Sequence, residues 1–187
     1  MNKIIIGLVG DMGSGKSTAA AYIVEKYGAT RYSFSDMLKY ILEYLKQPIT
    51  RNNLIDLFLV LAPRFGEDVL ARPMKETVAA DSHPVIVVES IRREADIAEL
   101  RSLPGFILVG ISCDLRARYE RIHTRGQRSD DAEKSFEEFV KDHEKKTETD
   151  IPEMVAGADY RIENDGSITN LQQKLDDIFS TISNPVK

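Results

Sequence analysis

Residues 10–17 read GDMGSGKS, directly after the apolar run KIIIGLV at 3–9. The octet fits G-x-x-x-x-G-K-[ST] at every fixed position: Gly10, Gly15, Lys16 and Ser17. The spacing has a physical reason. Glycines let the backbone fold into a nest of inward-pointing N–H groups, and a helix starting at the loop adds its positive N-terminal end. Lys16 is placed to bridge the β- and γ-phosphates of a nucleotide, and the Ser17 hydroxyl to ligate Mg²⁺. Gly10, Asp11, Gly13, Ser14, Gly15, Lys16, Ser17 and the adjoining Thr18 are therefore the candidate nucleotide-binding residues, with ATP and Mg²⁺ the expected cofactors. The side chain of Asp11 is read equally as reaching the metal or acceptor and as a spacer facing water.

Outward from the loop, the chain alternates. Isoleucine-rich 3–9 suits a strand buried on both faces. Ala19, Ala20, Ile23 and Val24 recur at helical spacing, and Gly28 offers a stop. Further strands are expected at 29–34, 84–90, 106–112 and 158–163, and further helices at 92–102, 114–124 and 168–182. Ser35-Asp36 is an N-cap type pair opening a helix to about residue 45. Between 47 and 80 the apolar spacing predicts two helices, broken near Pro63 and Gly66. The polar stretch 125–150 is expected to be helical in its second half, around Phe136, Phe139 and Val140, and the last residues to fray. Such alternation argues for an α/β fold with a mostly parallel sheet and helices on both faces. The insertions after the second and fourth strands fall where open α/β sheets bind ligands.

The 187 residues suit one domain, and a net charge of -5 argues against a general nucleic-acid footprint. Cys113 is the only cysteine, so no internal disulfide is possible; no apolar run reaches the length of a bilayer span. The expected location is the cytoplasm. His83, His123 and His143 show no zinc-ligand spacing, and no coiled-coil heptads declare an oligomer.

A phosphate loop also needs a carboxylate at a neighbouring strand end to position the magnesium, and Glu89, closing VIVVE, is the candidate. Phosphoryl transfer further asks for positive charge around the moving group. In LRARYERIHTRGQRSDD (115–131), Arg118, Arg121, Arg125 and Arg128 fall within about 80° of one another on a continuous helix. Arg118 reads as a solvated residue. Arg125 and Arg128, flanking Gly126, read as catalytic or nucleotide-clamping residues of a closing lid at about 124–150. Arg51, Arg64 and Arg92 are candidates for the acceptor's anionic group, and Arg92 also for catalysis.

With these parts assembled, the chain resembles the P-loop kinases of the nucleoside monophosphate kinase group, within it the dephospho-CoA kinase-like and deoxynucleoside monophosphate kinase branch. FSDMLK (34–39), TRNNL (50–54) and RFGEDVLA (64–71) look like the acceptor segments, VVESIRREAD (87–96) like the third-strand stretch, and IENDGS (162–167) like the closing loop. The resemblance implies five parallel strands in a single domain, 1–187, with an acceptor-binding helical segment at about 36–80 and a lid. It implies a sugar contact for Asp36 and places Asn164 and Gly166 beside the adenine. Glu89-Ser90 departs from the family's more usual Asp-Gly.

The acceptor follows from Asp36. A hydroxyl acceptor, as in dephospho-CoA, needs a base, and Asp36 is the candidate; a nucleotide phosphate needs none, and Asp36 then binds the sugar. The compact anion implied by the arginines favours a nucleoside or deoxynucleoside monophosphate as the small-molecule partner. Dephospho-CoA remains the alternative, and a regulatory NTPase using water is the reading from a different class.

Overall fold

The computed structural model describes residues 3–125, 135–143 and 150–183. Five parallel strands form the sheet: β1 (Ile4–Val9), β2 (Thr30–Ser33), β3 (Val85–Glu89), β4 (Phe106–Ser112) and β5 (Tyr160–Glu163), in the order β2-β3-β1-β4-β5. The apolar run of β1 is central and buried on both faces. Ile5 and Val9 join one core, while Ile6 and Leu8 join the other.

Each face has its own helices. On one, α1 (Lys16–Tyr27) and α9 (Ile168–Ser183) bury Ala19, Ala20, Ile23, Leu171, Leu175 and Phe179 against the sheet. The other carries α2 (Phe34–Tyr44), α3 (Arg51–Phe65), α4 (Ala71–Ala80), α5 (Glu94–Arg101) and α8 (Ile151–Ala156). Beyond β4 run α6 (Leu115–Arg125) and α7 (Phe136–His143), joined by ring contacts of Tyr119 with Phe136 and Phe139.

Three elements differ from the pattern read in the sequence. The helix after β2 starts at Phe34, with Ser33 rather than Ser35-Asp36 at its cap, because Phe34 turns straight into the core. Asp36 falls in the first turn instead, where the positive helix end favours a carboxylate. The break expected near Pro63 and Gly66 is present and falls at Gly66, so Pro63 itself does not end α3. It lies in the last turn, and the helix stops at Gly66, whose φ of 101° is glycine territory. Finally, 125–150 is followed by the short helix α8, whose Ile151 and Met154 are buried against the core behind Pro152 in the first turn. The signal was present: proline at a helix start with apolar residues three apart.

Candidate functional site

The phosphate loop runs from β1 into α1 and is held from three sides. A Cβ on Gly10 would lie 2.1 Å from Ile111 O of β4, and one on Gly15 would lie 2.3 Å from Nδ2 of Asn164. Both glycines have positive φ, 154° and 106°. Close approach and conformation thus exclude a side chain together. The third side is α6, whose Arg118 main-chain oxygen and Ile122 side chain pack on Gly13.

Lys16 Nζ donates to Gly10 O at 2.6 Å and Asp11 O at 2.8 Å, folding the ammonium back onto the loop. Ser17 and Thr18 are exposed on the first turn of α1, which has no side-chain cap. Ser14 is fully buried, and its Oγ has no hydrogen-bond partner among the described residues. A buried, unsatisfied hydroxyl costs about 1–3 kcal/mol and marks a place awaiting a polar ligand. The glycine nest, the exposed Ser17 hydroxyl and this hydroxyl fit a nucleotide phosphate and its magnesium.

Asn164 completes the seat. Its Nδ2 donates to Ser14 O at 2.8 Å in a buried bond, while its main-chain N–H bonds Ser112 O at 2.8 Å. Arg121 donates to Asn164 O at 2.8 Å and reaches Gly166 O at 3.4 Å, tying α6 to the loop between β5 and α9. The Arg121 guanidinium also lies 3.1 Å from Cys113 Sγ, whose pKa burial pushes up despite that charge.

Glu89 is buried at the carboxyl end of β3. Alternation puts it with Val87 on the face that α1 covers, which places the carboxylate on the phosphate-loop side of the sheet. Arg31 of β2 grips it, with Nε 2.8 Å from Oε1 and a second, shorter bond from Nη2. The same guanidinium lies 3.7 Å from Asp36, whose other oxygen accepts from Lys39 at 2.7 Å. Arg31 therefore bridges the carboxylates expected to serve the metal and the acceptor. Sequence did not single it out, because the pairing depends on the register of two strands more than fifty residues apart. Among the described residues no group of three or more His, Cys, Asp or Glu is placed to hold a metal ion. A phosphate loop needs only a hydroxyl and a nearby carboxylate for this purpose.

On the opposite face, α2, α3 and the end of β3 enclose a cavity of about 420 Å³. Leu38, Leu54, Ile55, Phe58 and Leu59 give it apolar walls, while Arg51, Arg92, Arg93, Ser35, Ser90, Glu67 and Asp150 supply polar groups. Met12 of the phosphate loop closes one side, and Arg51 Nη1 lies 3.3 Å from its Sδ. Thr50 fixes Arg51 there, its hydroxyl capping α3 by accepting from Asn53 N at 3.1 Å. Arg93 sits over the Phe58 ring, its Cζ 3.7 Å from the centroid, and pairs with the fully buried Asp96. Burial pushes the Asp96 pKa up, against the pull of Arg93. Ser33, Ser35 and Ser90 share hydroxyl contacts of 3.0–3.4 Å at the cavity edge.

The remaining expected residues divide clearly. Arg92 lines the cavity, whereas Arg64 is exposed near the other end of α3 and is not part of its wall. Asp36 lies beside the cavity but outside its lining. Arg118, read as solvated, is 6% exposed and lies on the phosphate loop. Arg125 ends α6, with its side chain outside the described residues; Arg128, Gly126 and most of the expected lid also lie outside them.

Comparison with known proteins bears on the family and the fold. A family model described as an AAA domain matches residues 9–138. The chain is similar to a UPF0200 protein of Saccharolobus islandicus, 29% identical over 180 residues that cover 95% of this chain and 93% of that one. A UPF0200 protein of Methanocaldococcus jannaschii is 26% identical over 183 residues, covering 97% and 91%. Among solved structures, a shikimate kinase from Bacteroides thetaiotaomicron matches with a TM-score of 0.65 at 18% identity, over 95% of this chain and 98% of that one. The shared architecture is the α/β P-loop kinase fold.

Proposed function

Since the chain belongs to the AAA domain family, matched over residues 9–138, we propose that it is a P-loop phosphotransferase passing the γ-phosphoryl group of ATP to a nucleoside or deoxynucleoside monophosphate. One observation carries the acceptor class. The cavity of about 420 Å³ meets the phosphate loop at Met12, with Arg51 and Arg92 in its wall and an apolar surface around Phe58. Arginines suit a compact phosphate, and the apolar wall suits a base.

In this reading residues 36–80 form the acceptor segment of a single domain and 124–150 the lid, with Arg125 and Arg128 clamping the phosphates. Lys16 and the loop amides hold the β- and γ-phosphates. Ser17 and Glu89 would hold the magnesium, Glu89 being the carboxylate that Arg31 engages. Bound magnesium neutralises charge developing on the phosphoryl oxygens. Asn164 and Gly166 border the adenine. Asp36 is engaged by Lys39 and Arg31, which supports a sugar-binding role over proton abstraction. A phosphate acceptor needs no base. The other contributions are positioning and positive charge.

The test is ADP formation from Mg-ATP with each common NMP and dNMP, dephospho-CoA, shikimate and no acceptor. Stimulation by a monophosphate is expected. Stimulation by dephospho-CoA or shikimate alone would assign a hydroxyl acceptor and overturn the acceptor class. Equal hydrolysis in every well would overturn the transferase reading itself.

A further inference from the structure

Asp11 places a carboxylate inside a loop whose proposed cargo is a polyanion. Carboxylate and triphosphate repel at this range, and partial burial, which lowers the local dielectric, strengthens the effect. The structure supplies a counter-charge. Arg118 of α6 brings Nη1 to 3.5 Å from the Asp11 carboxylate and to 3.5 Å from Met12 O, while its Nε donates to Cys113 O at 3.1 Å. The Arg118 side chain is only 8% exposed and Asp11 only 24%, so this is not a loose surface pair. Main-chain packing of the same residue against Gly13 fixes the origin of that side chain at the loop.

We propose that Arg118 is a positioning residue that acts through Asp11: it neutralises the loop's own carboxylate and so lets the loop accept the triphosphate end of a nucleotide. This rests on the nucleotide reading of the loop but assigns Asp11 a different part from metal or acceptor binding. The paired loop is close to neutral at Asp11, and the Lys16 charge and amide nest act on the phosphates undiminished. Without Arg118 the carboxylate faces them. The penalty then grows with the number of phosphates, because each adds negative charge to the repelled group.

Equilibrium binding of AMP, ADP and ATP, without magnesium and at low salt, is measured for the full chain and the variants Asp11→Asn, Arg118→Met, Arg118→Lys and the double variant. The expected pattern has four parts. Arg118→Met weakens ATP about tenfold and AMP less than twofold. Asp11→Asn, at a partly exposed position, tightens ATP about two- to fivefold. Adding Asp11→Asn to Arg118→Met recovers ATP affinity to within about threefold of the parent, and Arg118→Lys keeps it within a similar range.

If Arg118 only packs the loop, the double variant binds ATP as poorly as Arg118→Met, and AMP falls in parallel with ATP; either result overturns the proposal. Weaker ATP binding by Asp11→Asn alone would also overturn it. Failure of the parent chain to bind ATP would instead overturn the nucleotide reading, and this proposal with it. Thermal denaturation of each variant confirms the fold, and Asp11→Asn keeps the test decisive should Arg118→Met unfold.

Discussion

Ser90 has a φ of 63°, a left-handed conformation that glycine adopts freely and serine does not. The tight turn after β3, where the resembling family usually has glycine, is therefore made under strain. Ser90→Gly and Ser90→Ala both delete the hydroxyl that Ser33 bonds, so their difference isolates the backbone. The glycine variant should be more stable than the alanine variant by about 0.5–1 kcal/mol, a Tm difference of about 1–4 °C. Equal melting temperatures would show that the turn relaxes without cost. Lys16→Ala should leave the melting temperature near that of the parent and remove phosphoryl transfer, checked by ADP formation in the acceptor panel. Asp81 gives a pH prediction. The His83 main-chain N–H at 2.7 Å is the largest favourable contribution, followed by the Tyr32 hydroxyl at 2.8 Å; together they hold the Asp81 pKa down to about 2 from 3.8. A depressed carboxylate pKa contributes stability that is present above the ordinary value and lost as pH falls towards 2. Asp81→Asn should therefore flatten the acid limb of stability between about pH 4 and 2, measured by denaturant titration across that range. At this scale the phosphate loop was legible because its chemistry is local in sequence. Arg31 and Arg118 were not, since strand register gives one its partner and helix packing the other.

Among the elements, α3 is the least anchored for its length. It has fifteen residues, of which Ala62 alone is buried, while Leu59, Val60 and Phe65 are 53%, 71% and 60% exposed. An amphipathic helix draws most of its stability from its packed face. Hydrogen exchange should therefore find the amides of α3 opening well below the global unfolding free energy, and those of β1 and β3 near it. Uniform protection across these elements would contradict this. Adding the proposed acceptor should slow exchange in α3 selectively. Thr50→Ala, which removes the cap, should cost about 1 kcal/mol of stability, read from chemical denaturation. The same scale explains what the sequence pattern misjudged. Pro63 lacks the N–H that would bond the Leu59 carbonyl, yet α3 runs on to Phe65 and leaves the helical conformation only at Gly66, whose φ is 101°. The cap of α2 moved to Ser33 because burial of Phe34 outweighed the capping preference of Ser35-Asp36.

For the molecule as a whole, the alternation of apolar strands and amphipathic helices carried the α/β class, and the insertion after β2 supplies walls of the cavity. Sheet order was not written in that pattern; it arises when β1 is flanked by β3 and β4, the two other runs apolar enough to be buried on both faces. The cavity was also invisible, because its walls come from α2, α3 and the turn after β3, and only folding joins them. Nucleotide binding should stabilise this assembled state. At one hundred times its dissociation constant, ADP should add about 2.7 kcal/mol and raise Tm by about 5–10 °C, as calorimetry would show. No shift at saturating ADP would argue against the nucleotide reading.

The buried bond from Asn164 to Ser14 spans 150 residues of chain. A ribosome adding about 5–20 residues per second makes the phosphate loop first and this support about 8–30 seconds later. The family match itself ends at residue 138, short of that support. During synthesis the protein therefore carries its most recognisable motif long before it has the means to use it. A nascent chain stalled ahead of residue 164 should display GDMGSGKS without the side chain that seats it, and so retain no nucleotide.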